Sequence, residues 1–431
     1  MESSTGPELP SQITCFEILP RLPSKSLMRF KCVCKSWSSI TQNPSFVEAH
    51  HHFGRNKYAH LLLTTWDQAT SQQHFFSSQI DQQGSLTPAT HVLTLPTLRT
   101  NGCLYTAQSI NGLVCLYLQV NPVQINQVSS VHNASISNQI GHGNPVHIFN
   151  PCTRESIALP NTSSASSTTY VTHNFGFVRG ESIALPHTSS ASSTTYVTHH
   201  FGFSPLTNKY KVLQVQKFVR AGSIHFMFNI FTLGINLWKR IEADLNNLPF
   251  DPHSCLFYEA SVCVNGAIHW MNGSQNMIVG FDIEDEKFSR VIQLPKDYNL
   301  CRVYQFMVEV GGRLALGDRV QLMRQNIMRL WILNDYENQV WVKESFKFPI
   351  HWRELGYPLR FYTIHTGELL VQFPRLNTDQ VDLACMRVHL YDMKSESFRS
   401  YEIVLPAEWT FRNNTRLKVL TSYEDSIVPL R

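Results

Sequence analysis

The chain has 431 residues, 43% hydrophobic and 16% charged, which is a globular composition sized for one large domain or a large domain with a small companion. Its formal charge of +4 is too small to argue for nucleic acid, and no run reaches the roughly 18 apolar residues that a membrane span needs. Ten cysteines are scattered without a C-x-x-C pair, and the opening MESSTGPELP lacks an apolar stretch of the signal-peptide kind. Both features read as reduced thiols in an intracellular protein, cytoplasmic and/or nuclear.

Residues 1–8 read as a polar tail. Residues 9–50 read as a small helical module. Leu9, Pro10, Ile13, Phe16 and Ile18 suggest a short helix ended by Pro20. Pro23, Ser24 and Ser26 then predict a helix start, and Asn43-Pro44 a stop. Between them Leu27, Phe30, Val33, Cys34, Trp37 and Ile40 recur at steps of three and four, which predicts one apolar face on one helix. On that helix Cys32 and Cys34 would stand about 200° apart, too far around to share a metal ion. Three consecutive histidines, His50 to His52, read as solvated polar residues at a helix end. Residues 9–47 carry Arg21, Lys25, Arg29, Lys31 and Lys35 against Glu17 alone, so this segment holds the whole formal surplus of the chain.

So few residues bury too little surface to be stable alone. Burying Leu22, Leu27, Phe30, Val33 and Trp37 is worth about 1.5–3 kcal/mol each. Two homes are open to this face: the rest of the chain, or a second protein. The lopsided charge favours an acidic partner.

From residue 58 to 431 the pattern changes to short β-rich runs broken by Gly, Asn, Asp and Pro, such as HLLLTTW, GLVCLYL, HFMFNIFTL and ELLVQF. Hairpin-like units marked by Phe149, Phe231, Phe281, Ile332 and Tyr391 recur at steps of 82, 50, 51 and 59 residues. Gly turns before apolar strands recur in INGLVCLY, VNGAIHWM, VGGRLALG and HTGELLVQF. A period near 50 matches kelch-type propeller blades, five to seven of them. The long step has a visible cause. ESIALPNTSSASSTTYVTHNFGF at 155–177 recurs at 181–203 with two changes, Asn161 to His187 and Asn174 to His200. It reads as a local tandem insertion within one blade, one copy lying in a surface loop, with FGFSPLTNKYKVL of the second copy expected to take the strand position.

No nucleophile elbow, dinucleotide loop, phosphate loop or zinc-protease motif occurs, and no pattern calls for a metal or cofactor. Glu284-Asp285-Glu286 reads as a solvated hairpin turn, and His269-Trp270-Met271 as core.

LPSQITCFEILPRLPSKSLMRFKCVCKSWSSITQNPSFV, residues 9–47, resembles a plant F-box. The match rests on Leu9-Pro10, Glu17–Leu19, Arg21–Pro23, Lys25–Leu27, Arg29–Trp37, Pro44, Phe46 and Val47; Pro20 departs from the pattern. INGLVCL, FNPCTRES, FGFSPLTNKYKVL, VNGAIHW, FDIEDEKF and YEDSIVPL resemble the kelch-like F-box-associated domain of the same proteins. The resemblance implies a helical F-box followed by a mainly-β propeller. It implies that Leu9, Pro10, Ile13, Ile18, Leu22, Pro23, Leu27, Val33 and Trp37 contact an acidic Skp-type adaptor, and through it a cullin–RING ubiquitin ligase. The propeller would hold a protein substrate, and the chain would catalyse nothing itself. A lectin-like module or a degenerate copy is the alternative.

Overall fold

The computed structural model describes residues 17–430, apart from 55–58, 81–84, 97–103, 120–145, 163–194, 299–304, 319–323, 348–359, 373–384, 410–416 and several shorter stretches. Among the described residues three helices come first: α1 (Ser24–Phe30), α2 (Lys35–Ile40) and α3 (Pro44–Gly54); the short helix expected from Leu9 to Ile18 lies largely outside them. A 3₁₀ turn, Leu19–Arg21, precedes them with Pro20 in its first turn, so this proline sits inside helical structure where its missing N–H costs nothing.

The single helix expected between Pro23 and Asn43 is broken in two. Lys31, Cys32, Val33 and Cys34 are poor or indifferent helix formers apart from the lysine. Cys34 is extended (φ −154°, ψ 159°), and its Sγ accepts the Trp37 N–H at 3.5 Å, capping α2. The break takes Val33 out of the apolar stripe and turns it outward, while Phe30 and Trp37 still meet edge to face at 5.0 Å. None of these helices is long and apolar enough to cross a membrane.

The strands form a six-bladed propeller. The first blade contains β1 (Ala59–Asp67), β2 (Gln72–Ile80) and β3 (Thr90–Pro96). The second is β4 (Leu104–Ile110), β5 (Leu113–Gln119), β6 (His147–Phe149) and β7 (Ser156–Ala158). The third is β8 (Thr195–Ser204), β9 (Lys209–Arg220), β10 (Ser223–Thr232) and β11 (Trp238–Ile241). The fourth is β12 (Val262–Val264), β13 (Ala267–Asn272), β14 (Met277–Asp282) and β15 (Lys287–Gln293). The fifth is β16 (Gln305–Val310), β17 (Arg313–Asp318), β18 (Ile327–Asp335) and β19 (Val340–Lys347). The sixth is β20 (Arg360–Thr363), β21 (Glu368–Gln372), β22 (Cys385–Asp392) and β23 (Ser397–Val404). The last strand, β24 (Lys418–Tyr423), returns to pair with β1 and completes the first blade, so the two ends of the β region close the ring.

The repeat markers read from sequence fall on equivalent strands. Phe149, Phe231, Phe281, Ile332 and Tyr391 lie on β6, β10, β14, β18 and β22, the third strand of blades two to six, and all are buried. The Gly turns join first to second strands. Asn111-Gly112 and Asn265-Gly266 have both residues at positive φ (48° and 80°; 52° and 69°), the mirror-image turn whose twist suits a tight hairpin. Six apolar clusters fill the six seams between neighbouring blades, and the first strands β4, β8, β12, β16, β20 and β24 contact one another in succession around the ring.

The duplicated segment straddles a blade boundary rather than lying inside one blade. Ser156–Ala158 of the first copy makes β7, the outer strand of blade two, and Thr195–Ser204, mostly from the second copy, makes β8, the inner strand of blade three. FGFSPLTNKYKVL runs through β8 into β9. Residues 163–194 between them lie outside the described residues.

Glu284 and Glu286 are not simply solvated. Glu284 accepts from Ser204 and from Thr207 (2.8 Å), while Glu286 pairs with Lys211 at 2.8 Å and Lys239 at 2.7 Å, tying blade four to blade three. Both carboxyls are lowered. Ser204 and Thr207 do so for Glu284; for Glu286 burial opposes the shift, and the two lysines prevail. His269, Trp270 and Met271 are core, with His269 Nε2 2.5 Å from the Tyr336 hydroxyl of the next blade.

Candidate functional site

The helical module sits on one end of the propeller, held by the segment that follows β24. A small core joins Leu19, Leu27 and Phe46 to Ile427, with Leu22, Met28, Phe30, Ile40 and Val47 packed around it. A polar clasp surrounds that core. The Ser24 N–H donates to Asp425 Oδ2 at 2.9 Å and the Ser24 hydroxyl to Asp425 Oδ1. His50 Nε2 donates to the Leu22 carbonyl at 3.1 Å and lies 3.9 Å from Asp425. His51 Nε2 donates to Glu424 at 2.6 Å. Burial alone would push the Asp425 carboxyl up. The two Ser24 bonds, with His60 and His50 nearby, overcome it and hold the carboxyl below the usual aspartate value.

His50 and His51 therefore depart from the expected solvated run: His50 is fully buried and His51 half-buried, and only His52 is exposed. The reason is long-range. The acidic Glu424-Asp425 pair lies 373 and 401 residues away from its partners His51 and Ser24. In the sequence the pair and the histidines are visible separately, but nothing local links them.

The tail is itself anchored. Asn150 Nδ2 donates to the carbonyls of Ser426 (3.2 Å) and Val428 (3.0 Å), and the Leu430 N–H reaches Glu155 at 3.3 Å. Gly112 lies so close beneath it that an added Cβ would stand 2.2 Å from Ser426 Cβ, at a φ of +80° that disfavours side chains anyway. Leu430 ends in the seam between blades two and three, beside Tyr210 and Leu233.

The residues expected to meet an adaptor divide into three groups. Leu9, Pro10 and Ile13 lie outside the described residues. Leu27 is completely buried, so it holds the helices to the propeller tail, and Leu22 and Trp37 are half-buried. Ile18 (40% exposed), Pro23 and Val33 (68% exposed) stand open to solvent. The apolar face thus has two sides: one docked on the chain's own tail, the other uncovered. Arg21, Lys25, Arg29 and Lys35 are exposed on the same module, Arg21 lying 3.3 Å from Glu17.

The opposite end of the ring is built differently. Strands within each blade alternate in direction, so the turns joining second to third strands and the connections between blades all leave from the end away from the helices. These include the links between β5 and β6, β7 and β8, and β11 and β12, the longest in the propeller. Loops on a rigid ring are where recognition residues gather.

Residues 60–424 match the family model described as an F-box associated beta propeller domain, and residues 15–48 match the F-box domain. Three proteins of Arabidopsis thaliana are similar along most of their length. F-box protein At1g30790 is 25% identical over 351 residues, 78% of this chain and 74% of its own. F-box protein At2g21930 is 26% identical over 343 residues, 77% of this chain and 70% of its own. F-box protein At4g19940 is 23% identical over 424 residues, 92% of this chain and 86% of its own. With a helical F-box clasped beneath a six-bladed ring that the second model spans almost from end to end, the chain belongs to the plant F-box proteins that carry an F-box associated β-propeller domain.

Proposed function

We propose that the chain is a substrate receptor of an SCF-type ubiquitin ligase. In this reading Ile18, Pro23, Val33 and the exposed edges of Leu22 and Trp37 bind a Skp-type adaptor, with Leu9, Pro10 and Ile13 extending the contact. The adaptor connects the chain to a cullin–RING assembly. The loop-bearing end of the propeller binds a protein target. The chain performs no bond chemistry; it raises the local concentration of target beside a ubiquitin-loaded enzyme that other subunits supply.

The observation that carries the reading is the divided fate of one apolar face. Its inner side is satisfied by Ile427, while Val33 and Ile18 remain exposed on a module that also exposes Lys25, Arg29 and Lys35. An uncovered apolar surface on a module with surplus positive charge suits an acidic protein partner. The two ends of the ring also separate the two tasks, so target and adaptor do not compete.

Val33 separates binding from folding, because its side chain contributes little to the buried core. The full chain should co-purify with a plant Skp-type adaptor, and Val33→Asp should weaken that binding at least tenfold with an unchanged melting temperature. Equal binding by both proteins, or none by the unmodified chain, overturns the reading.

A further inference from the structure

The end of the propeller that carries the F-box also carries the most exposed apolar side chains of the described residues. Leu206 is 85% exposed in the turn between β8 and β9, and Ile235 (61%) and Leu237 (70%) stand in the turn between β10 and β11. Both turns belong to blade three and leave the ring at the end where β24 finishes and the tail begins. Lys209, Lys239 and Arg240 are exposed beside them. The nearby carboxylates are already engaged: Glu284 with Ser204 and Thr207, Glu286 with Lys211 and Lys239.

This surface adjoins the F-box through the tail. Ile427 packs on Leu27 and Phe46, and Leu430 packs beside Tyr210 and Leu233, which directly follow and precede the two exposed turns. Three residues of extended chain span at most about 10 Å. The helices and the blade-three turns therefore sit on the same end of the molecule, joined by this short stretch of tail, and each bears exposed apolar groups beside exposed cations.

We propose that these two surfaces form one composite interface, and that the acidic partner covering Ile18 and Val33 also seats on Leu206, Ile235 and Leu237. The partner is the Skp-type adaptor, so the inference rests on the function proposed above. Blade three then does more than support a recognition loop. It fixes the angle at which the propeller is held on the ligase, because a partner gripping both the helices and the ring cannot pivot on the helices alone.

The test uses the full chain and a plant Skp-type adaptor, with calorimetric titration of the unmodified protein, of Val33→Asp, and of Leu206→Glu combined with Leu237→Glu. These leucines are exposed, so the double variant should melt with the unmodified chain and bind the adaptor about tenfold more weakly. Hydrogen exchange on the unmodified complex gives a second readout, in which residues 205–209 and 234–240 should slow on adaptor binding. If the double variant binds as tightly as the unmodified chain and those segments gain no protection, the composite interface is overturned while the adaptor reading stands. If the unmodified chain does not bind, both fall. A dimer of the chain alone, separated by the double substitution, overturns the proposal in favour of self-association.

Discussion

His200 shows how much one side chain can decide. It is one of the two positions at which the copies of the duplicated segment differ, the first copy having Asn174 there. Its Nδ1 accepts from the Trp270 indole (3.3 Å) and the Ser261 hydroxyl (3.0 Å), while Nε2 faces Thr198 Oγ1 at 3.1 Å as donor. A neutral ring satisfies all three contacts; a protonated ring loses both acceptor roles. Burial, with His199 beside it, lowers its pKa to about 3, and burial alone takes His199 to about 3 as well. Both groups ionise more readily unfolded than folded, so their contribution is complete above the ordinary histidine value of 6.5. It is lost progressively as pH falls toward 3. His200→Asn, which installs the first copy's residue, should cost about 1–3 kcal/mol at neutral pH by leaving Trp270 or Ser261 short of a partner. It should also flatten the loss of stability between pH 6.5 and 3, measured by denaturant unfolding across that range. An unchanged pH profile would show that His200 is not the group responsible.

Among the elements, the duplication makes the sharpest test. ESIALP opens both copies, so removing residues 155–180 joins Arg154 directly to an identical ESIALP and leaves β8 untouched. We infer that the extra 26 residues are a surface insertion. Shortening a connection changes closure entropy only slowly with length, so the deletion should shift the melting temperature by no more than about 2 °C in a scanning experiment. A drop of about 10 °C would mean that the inserted residues pack as part of the ring. The α1–α2 break makes a complementary point. A three-and-four periodicity continued across Lys31–Cys34 describes which residues could share a face, but it does not register a side chain that caps a new helix. Cys34 does so through its sulfur, and Val33 is exposed as the result.

For the molecule as a whole, the tail after β24 is the hinge of the architecture. It holds the F-box through Asp425, Glu424 and Ile427, and holds itself to the ring through Asn150 and Leu430. Removing residues 424–431 should leave the strand circular-dichroism signal in place while freeing the helices. Limited proteolysis should then cut near residues 54–59 well before the ring is digested. Retained protection of the helices would show that the ring holds them without the tail. This arrangement ties the two parts together: β24 closes the propeller, and within the next four residues its continuation fastens the helical module to it.

Much of this architecture is legible in the sequence because it is written in short-range chemistry. Asn-Gly at a tight hairpin, alternating apolar residues in a strand and a repeated unit near 50 residues constrain neighbours in the chain, and these fixed a propeller behind a helical module. The plant F-box likeness was equally legible in residues 9–47, a dense local motif. Tertiary structure alone decided the number of blades, because six is set by how many apolar seams close a ring. It also decided which side of the helix face is spent internally. Leu27 and Val33 are equally apolar and six residues apart, yet one is sealed and the other open. The difference comes from Ile427 and Asp425, about 400 residues downstream, and contacts across such a separation leave no periodicity in a single sequence.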